Sequence, residues 1–135
     1  MNVFAYGTLR MEEVWRGVTG DSTVPVAGRL HGYRAYRLAG QVYPAITPKP
    51  LGETPGVVYR DVRQALLARL DDFEGPDYER RQVVIECEDD HTLLCQTYVY
   101  PDPDRLTTEP WDLKSFLEDG GLKRFLSGYS GFDRV

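Results

Sequence analysis

Three carboxylates crowd the end of one predicted helix, and one of them, Glu74, stands where a side chain could exchange a proton. Asp71, Asp72 and Glu74 follow the apolar part of the helix, which Gly75-Pro76 ends. Negative charge is unfavourable there, because that end of the helix dipole is itself negative. If Glu74 points into a cavity, burial, the helix terminus and the two aspartates raise its pKa. A glutamic acid lifted from about 4.3 toward neutrality can accept and return a proton.

The same segment also has a purely structural interpretation. The two aspartates could face solvent or cap local turns. Tyr78 and Arg80 lie two residues apart, so they share a face if this segment is extended. Arg80 could offset the charge of Glu74 or bind a charged substrate, or it could be a surface cation beside Glu79. The spacing alone leaves these interpretations open.

The start of the chain predicts a site for an anion. Residues 3–6 are typical of a short apolar strand, Gly7-Thr8 of a sharp turn, and the residues from Leu9 of a helix. The first backbone N–H groups of a helix lack intrahelical partners and lie at its positive end, which suits a carboxylate or phosphate. Gly7 lets a ligand approach the backbone closely. Alternatively, Thr8 simply caps the helix. No G-x-x-x-x-G-K-[ST] or G-x-G-x-x-G pattern supports a phosphate site.

Two helices and several short strands must position these residues. The stronger helix is predicted at 62–73, with Asp61 as its N-cap and Gln64 as the capping-box partner. A second is predicted at about 9–18. Strands are predicted at 2–6, 24–30, 33–38, 41–46, 56–59, 82–88 and 93–100. Many short strands without strict βαβ alternation favour a barrel or a strongly bent sheet.

The length of 135 residues is most simply that of one domain, 1–135. Beyond residue 100 the sequence changes character. Residues 101–104 predict turns, and a helix is expected from Pro110-Trp111 to Leu117, ended by Gly120-Gly121. We therefore expect 101–135 to be a helical C-terminal extension that packs on the barrel.

Charge and composition exclude several classes of protein. The net charge is −5 and the arginines are scattered, which argues against a nucleic-acid partner. No apolar run reaches the length of a membrane span, and the start lacks signal-peptide features, so we expect a cytoplasmic protein without a membrane partner. Cys87 and Cys95 are expected to be buried thiols rather than a disulfide. His31 and His91 stand alone, so no metal site is expected.

Two motifs in this order resemble the γ-glutamylcyclotransferase-like family. Tyr6-Gly7-Thr8-Leu9 follows the first apolar strand, and residues 70–80 read Leu-Asp-x-Phe-Glu-Gly-x-x-Tyr-x-Arg. Tyr43-Pro44-Ala45-Ile46 and Gly56-Val57-Val58-Tyr59 lie between them and also look like that family. The resemblance covers about residues 2–100. It implies an α+β fold, a small mixed β-barrel flanked by helices, in which the 6–9 loop forms one wall of a cavity. Thr8 replaces the serine often found in this loop.

The activity that this resemblance implies is a cyclisation. The α-amine of a γ-glutamyl amine or peptide attacks its own γ-amide carbonyl and releases 5-oxoproline and a free amine. Glu74 matches the catalytic acid/base, and neither a metal nor an organic cofactor is required. Residues expected to bind the small-molecule γ-glutamyl substrate are Tyr6, Gly7, Thr8, Leu9, Arg10, Tyr43, Tyr78, Arg80 and Tyr98.

Two other functions remain compatible with the sequence, because a fold does not fix a function. One is a non-catalytic binding module of the same fold that recognises an acidic, γ-glutamyl-like ligand. The other is an interaction or scaffold protein in which Glu74 is a solvated helix-end residue. Glutathione, γ-glutamyl amino acids, γ-glutamyl-lysine isopeptides and γ-glutamyl amines share one reactive end, so the sequence does not select among them. Monomer and homodimer are equally open.

Overall fold

Six strands and two helices follow one another in the computed structural model, which describes residues 1–38, 44–88, 91–101 and 106–111. In chain order the elements are β1 (Asn2–Ala5), a 3₁₀ turn (Thr8–Arg10), α1 (Glu12–Thr19), β2 (Val26–Leu38), β3 (Pro44–Tyr59), α2 (Gln64–Glu74), β4 (Glu79–Cys87), β5 (Thr92–Val99) and β6 (Leu106–Pro110).

Five of these strands close into a barrel. The order is β3-β1-β5-β4-β2, and β2 returns to pair with β3. β1 and β5 run parallel, with Val3 opposite Gln96, and the other pairs are antiparallel. β6 pairs with the distal part of β2, where Leu106 lies opposite Leu38. The predicted α+β class, a small mixed barrel flanked by helices, is confirmed.

β1 is buried on both faces, and this divides the core into two apolar clusters. Phe4 and Tyr6 point into the barrel, where they pack with residues such as Ile46 and Ile85. Val3 and Ala5 point the other way, into the cluster formed with the helices, because successive strand residues face opposite sides. In that outer cluster the Trp15 ring of α1 stacks on Tyr59, with centroids 3.8 Å apart and planes 3° apart. The two clusters fix α1 and α2 against one side of the barrel.

Two long strands replace four predicted short ones. β2 begins at Val26 and joins the predicted strands 24–30 and 33–38 without a break, and Gly32, with φ of 84°, accommodates the register shift between His31 and Tyr33. β3 likewise joins the predicted strands 41–46 and 56–59, of which residues 41–43 lie outside the described residues. Pro48 pairs with Tyr33 and Glu53 with His31, so the residues between bulge from the ladder. Glycine and proline predicted a turn here, but long pairing with β2 absorbs them as a bulge.

Both helices begin later than predicted. A 3₁₀ turn occupies residues 8–10, and α1 starts only after Met11, whose backbone is extended. α2 starts at Gln64 with Arg63 as N-cap and without a side-chain cap, so the predicted Asp61 capping box is wrong. The physical reason is tertiary: the N–H of Val62 donates to the Met1 carbonyl, and the Met1 ammonium donates to the Val62 carbonyl at 2.9 Å. This pairing with the chain's first residue keeps Val62 out of the helix.

The part of the tail that the structure describes is extended rather than helical. Leu106–Pro110 is strand β6, and the Trp111 N–H donates to the Ala35 carbonyl at 3.2 Å. Pro110 therefore ends a strand instead of opening a helix. The predicted helix to Leu117 and the rest of the expected extension lie outside the described residues. In the described ranges, no helix is long and apolar enough to cross a membrane.

Candidate active site

A cavity of about 160 Å³ opens where the chain leaves β1, beside the end of α2. It joins the two sequence motifs, although they are more than sixty residues apart in the chain. The residues that line it are Phe4, Ala5, Tyr6, Gly7, Thr8, Leu9, Pro44, Phe73, Glu74, Asp77, Tyr78, Tyr98 and Tyr100. The cavity thus brings together most of the residues that the sequence predicts for the site: Tyr6, Gly7, Thr8, Leu9, Glu74, Tyr78 and Tyr98.

Glu74 is the last residue of α2 and is half-buried in the cavity wall. Leu66, Leu67 and Leu70 anchor the helix in the outer core, so its final turn is held over the cavity. Gly75 then takes φ of 87° and ψ of 175°, a conformation open essentially only to glycine, and turns the chain away. Burial raises the Glu74 pKa from its ordinary value of 4.5 to about 8. Such a carboxyl group can gain and lose a proton near neutral pH.

Asp71 and Asp72 contribute less to the raised pKa of Glu74 than the sequence predicted. Asp71 and Asp72 are both exposed, and water weakens the influence of exposed charges. Loss of hydration is therefore the cause of the raised Glu74 pKa. Asp71 contacts other groups instead, since its Oδ1 accepts a hydrogen bond from the Tyr98 hydroxyl at 2.6 Å and lies 3.6 Å from Arg80 Nε.

Three tyrosines of the cavity donate their hydroxyl protons to protein acceptors. The Tyr6 hydroxyl donates to the Tyr98 carbonyl, and the Tyr78 hydroxyl to the Pro44 carbonyl, each at 2.6 Å. Tyr98 donates to Asp71. Burial and then the charge of Glu74 raise the pKa of Tyr6. Burial and then the Asp71 hydrogen bond raise the pKa of Tyr98. Both phenols therefore stay protonated, and their orientation is fixed.

Gly7, Thr8 and Leu9 line the same cavity as Glu74, and Thr8–Arg10 form a single 3₁₀ turn. The Arg10 N–H donates to the Gly7 carbonyl and the Met11 N–H to the Thr8 carbonyl, both at 3.1 Å. The N–H groups of Thr8 and Leu9 have no acceptor within the turn. Gly7, not Thr8, is the N-cap and no side chain caps the turn, so the predicted Thr8 cap is wrong. A Cβ on Gly7 would lie 3.1 Å from Pro44 Cγ, which makes a larger residue tight here.

The cavity lining does not include three of the predicted substrate-binding residues, two of which the structure describes. Arg10 and Arg80 are outside the lining of the cavity, and Tyr43 lies outside the described residues. Arg10 is half-buried, burial lowers its pKa, and its buried Nε has no hydrogen-bond partner within the described part of the chain. Arg80 turns toward Asp71. The spacing of two residues in the chain did not reveal this direction of the Arg80 side chain.

The structure adds lining residues that the sequence reasoning missed, among them Pro44, Phe73, Asp77 and Tyr100. Tyr100 could have been found from Tyr98, because residues two apart in an extended chain share a face. Among the described residues, the lining holds two carboxyl groups and no lysine or arginine. The described part of the lining therefore offers a ligand carboxylate no basic side chain. In the same ranges, no three His, Cys, Asp or Glu side chains are grouped to hold a metal ion.

The sequence of this chain is similar to those of known proteins. Residues 3–113 match the family model described as gamma-glutamyl cyclotransferase, AIG2-like. Protein AIG2 C of Arabidopsis thaliana is 34% identical over 118 residues, covering 85% of this chain and 71% of that protein. The chain spans 65% and 60% of two further relatives from that plant, AIG2-like proteins A and C.

Solved structures share the fold. An Arabidopsis thaliana protein solved in solution has a TM-score of 0.74 and 30% identity, over 93% of this chain and 78% of that one. A gamma-glutamyl cyclotransferase has a TM-score of 0.66 and 21% identity, over 76% of this chain and 67% of that one. The chain belongs to the γ-glutamyl cyclotransferase, AIG2-like family, and the predicted family resemblance is confirmed.

Proposed function

We propose that this protein is a γ-glutamylcyclotransferase that converts a γ-glutamyl amine or peptide into 5-oxoproline and a free amine. The observation that carries the proposal is Glu74, a carboxyl group with a pKa of about 8 in the wall of a cavity that the Tyr6-Gly7-Thr8-Leu9 segment also lines. Membership of the family supports the same reaction class.

The reaction needs one group that takes a proton and then returns it. The ionised Glu74 takes a proton from the substrate's α-ammonium, and the freed amine attacks the γ-amide carbonyl. The protonated Glu74 then donates that proton to the departing amine as the C–N bond breaks. The second proton that the attacking nitrogen loses as the lactam forms also ends on the released amine, which leaves as an ammonium ion. With a pKa of about 8, roughly a tenth of Glu74 is ionised at pH 7 and the rest is ready to act as an acid.

The remaining parts of the cavity hold the substrate for ring closure. We assign the backbone N–H groups of Thr8 and Leu9 to the glutamyl end or to the oxygen that gains charge at the γ-carbonyl. Tyr6, Gly7, Tyr78 and Tyr98 shape the pocket around it. Because amine and carbonyl belong to one molecule, holding them close supplies much of the acceleration. These roles use only groups of this chain, so the mechanism needs no cofactor.

The test is release of 5-oxoproline, measured by mass spectrometry, from a panel of γ-glutamyl compounds. We expect wild type to form the product and Glu74→Gln, which keeps the shape of the side chain but not its proton exchange, to lose at least about a hundredfold in turnover. Asp72→Asn is the matched control, since it neutralises an exposed acid two residues away outside the cavity. It should retain wild-type activity.

Two results would count against this function. Normal turnover by folded Glu74→Gln would remove Glu74 from the mechanism. A γ-glutamyl compound that raises the melting temperature and is never consumed would favour the non-catalytic binding module instead.

A further inference from the structure

The tyrosines Tyr6, Tyr78 and Tyr98, which line the cavity with Glu74, donate their phenolic protons to other acceptors. Tyr6 and Tyr98 both lie close enough for the charge of Glu74 to raise their pKa values. A phenol has a single proton to donate. Tyr6 uses its proton on the Tyr98 carbonyl and Tyr98 uses its own on Asp71, both at 2.6 Å. Neither proton is left for Glu74.

Asp71 is the acceptor that decides the direction of the Tyr98 hydroxyl. It lies three residues before Glu74 on α2, so both side chains project from one side of the helix. Its bond to Tyr98 is short, as expected when the acceptor is ionised. Arg80 Nε lies 3.6 Å from the same Asp71 oxygen. The side chains of Arg80 and Asp71 are 32% and 45% exposed, and an ion pair of this kind adds little to stability.

We propose that Asp71 is a positioning residue: by accepting the only proton of Tyr98, it makes the Tyr98 hydroxyl oxygen a hydrogen-bond acceptor toward the cavity. The oxygen can then receive a hydrogen bond from protonated Glu74 or from the α-ammonium of a substrate. The orientation of Tyr98 does not depend on turnover, whereas its use in catalysis rests on the proposed function.

The ionisation of Glu74 depends on this arrangement. The titratable groups that line the cavity with it are Tyr6 just after β1, Tyr98 from β5 and Tyr100 just after it, and Asp77 and Tyr78 from the segment after α2. Asp71 and its partner Arg80 lie beyond Tyr98. A hydroxyl that donated to the Glu74 carboxylate would stabilise the ionised form. Asp71 withholds the Tyr98 proton and so preserves the protonated form that burial favours.

The experiment is an NMR titration of the ¹³C-labelled Glu74 carboxyl group in the free protein. Asp71→Ala removes the acceptor, and the released Tyr98 hydroxyl should turn to Glu74. We expect the Glu74 pKa to fall by about one unit, a tenfold change in its ionisation constant. Asp71→Asn removes the same charge but keeps an acceptor oxygen, so it should restore most of the wild-type value. In a Tyr98→Phe background, Asp71→Ala should produce no further change.

These variants together separate the hydrogen bond from the charge. Equal shifts in Asp71→Ala and Asp71→Asn would show that only the charge matters and would overturn the proposal. So would a shift that persists without the Tyr98 hydroxyl, or no shift in Asp71→Ala. Because the titration requires no turnover, a failure here is distinguishable from failure of the cyclotransferase assay.

Discussion

Glu74 acquires its properties from where α2 ends, not from its own type. Burial moves its pKa to about 8, so the fraction available as a base rises between pH 6 and 9. In the proposed reaction the free enzyme must first act as a base. We therefore expect kcat/KM to increase about tenfold per pH unit below pH 8 and to level off above it. The check is the pH profile of 5-oxoproline formation at low substrate concentration.

The same profile separates two sources of pH dependence. The substrate's own α-ammonium also titrates in the alkaline range, so its pKa should be measured without enzyme. If the rise in kcat/KM followed the titration of the substrate's α-ammonium alone, with no inflection near pH 8, the assigned role of Glu74 would be contradicted. The Asp72→Asn control should reproduce the wild-type profile, since Asp72 is exposed and outside the cavity.

The role of a residue could be predicted where the residue belonged to a recognisable motif. It could not be predicted where it depended on the direction of the side chain. The structure brings Glu74 to the same cavity as Tyr6 and Leu9, as the two motifs implied. Arg80 was predicted for the cavity because of its distance from Tyr78 in the chain. Its side chain instead meets Asp71. Alternation gives the face of a strand residue, but the path of a long flexible side chain is set by partners distant in sequence.

At the scale of elements, Gly75 ends α2 directly after Glu74, so the turn at Gly75 helps to fix the position of Glu74. Its φ of 87° and ψ of 175° are strained for any residue with a Cβ, although a Cβ would meet no atom within 4 Å. Gly75→Ala should cost about 1–3 kcal/mol in the free energy of unfolding and should also displace Glu74. Urea unfolding and the 5-oxoproline assay measure the two effects.

Gly20 offers the matched control for that substitution. It ends α1 with φ of 75°, and it lies outside the cavity lining. Gly20→Ala should destabilise the fold by about 1 kcal/mol and leave turnover per folded molecule unchanged. If Gly75→Ala behaved in the same way, with full activity, the turn after α2 would not be what positions Glu74.

Element boundaries were less predictable than the elements themselves. The apolar spacing of α2 was sufficient to find the helix, since Leu66 and Leu70 are buried as expected, although Leu67 is buried and Ala65 is exposed. The first residue of α2 could not be predicted from this spacing, because Val62 pairs with Met1, sixty-one residues away in the chain. Likewise, β2 and β3 could not be seen as continuous strands, since glycine and proline mark a turn and a bulge alike.

For the whole molecule, the barrel class followed from the many predicted strands and the lack of strict βαβ alternation, whereas strand order did not. β1 lies between β3 and β5, with one parallel and one antiparallel partner, and no local pattern encodes that choice. This placement buries β1 on both faces and brings the segment after it, Tyr6 to Leu9, beside the end of α2. The cavity is thus a product of topology, and the motifs alone could not give its shape.

The buried carboxyl group also ties the stability of the entire fold to pH. Its pKa is 4.5 when hydrated and about 8 in the folded protein, so between these values the folded state binds more protons than the unfolded state. The stabilisation from the protonated group is complete below about pH 4.5 and is lost as pH rises through 8. The full shift corresponds to a loss on the order of 5 kcal/mol.

Glu74→Gln should remove this dependence, because the amide carries no charge at any pH. We expect the variant and wild type to have nearly equal free energies of unfolding at pH 5. The variant should become progressively more stable than wild type from pH 6 to 9, measured by urea unfolding at each pH. Asp72→Asn should show no such divergence, since its carboxylate is exposed in both states. A constant difference between Glu74→Gln and wild type across this range would mean that Glu74 ionises as easily in the fold as in water. In that case the proton needed for catalysis would have to come from another group.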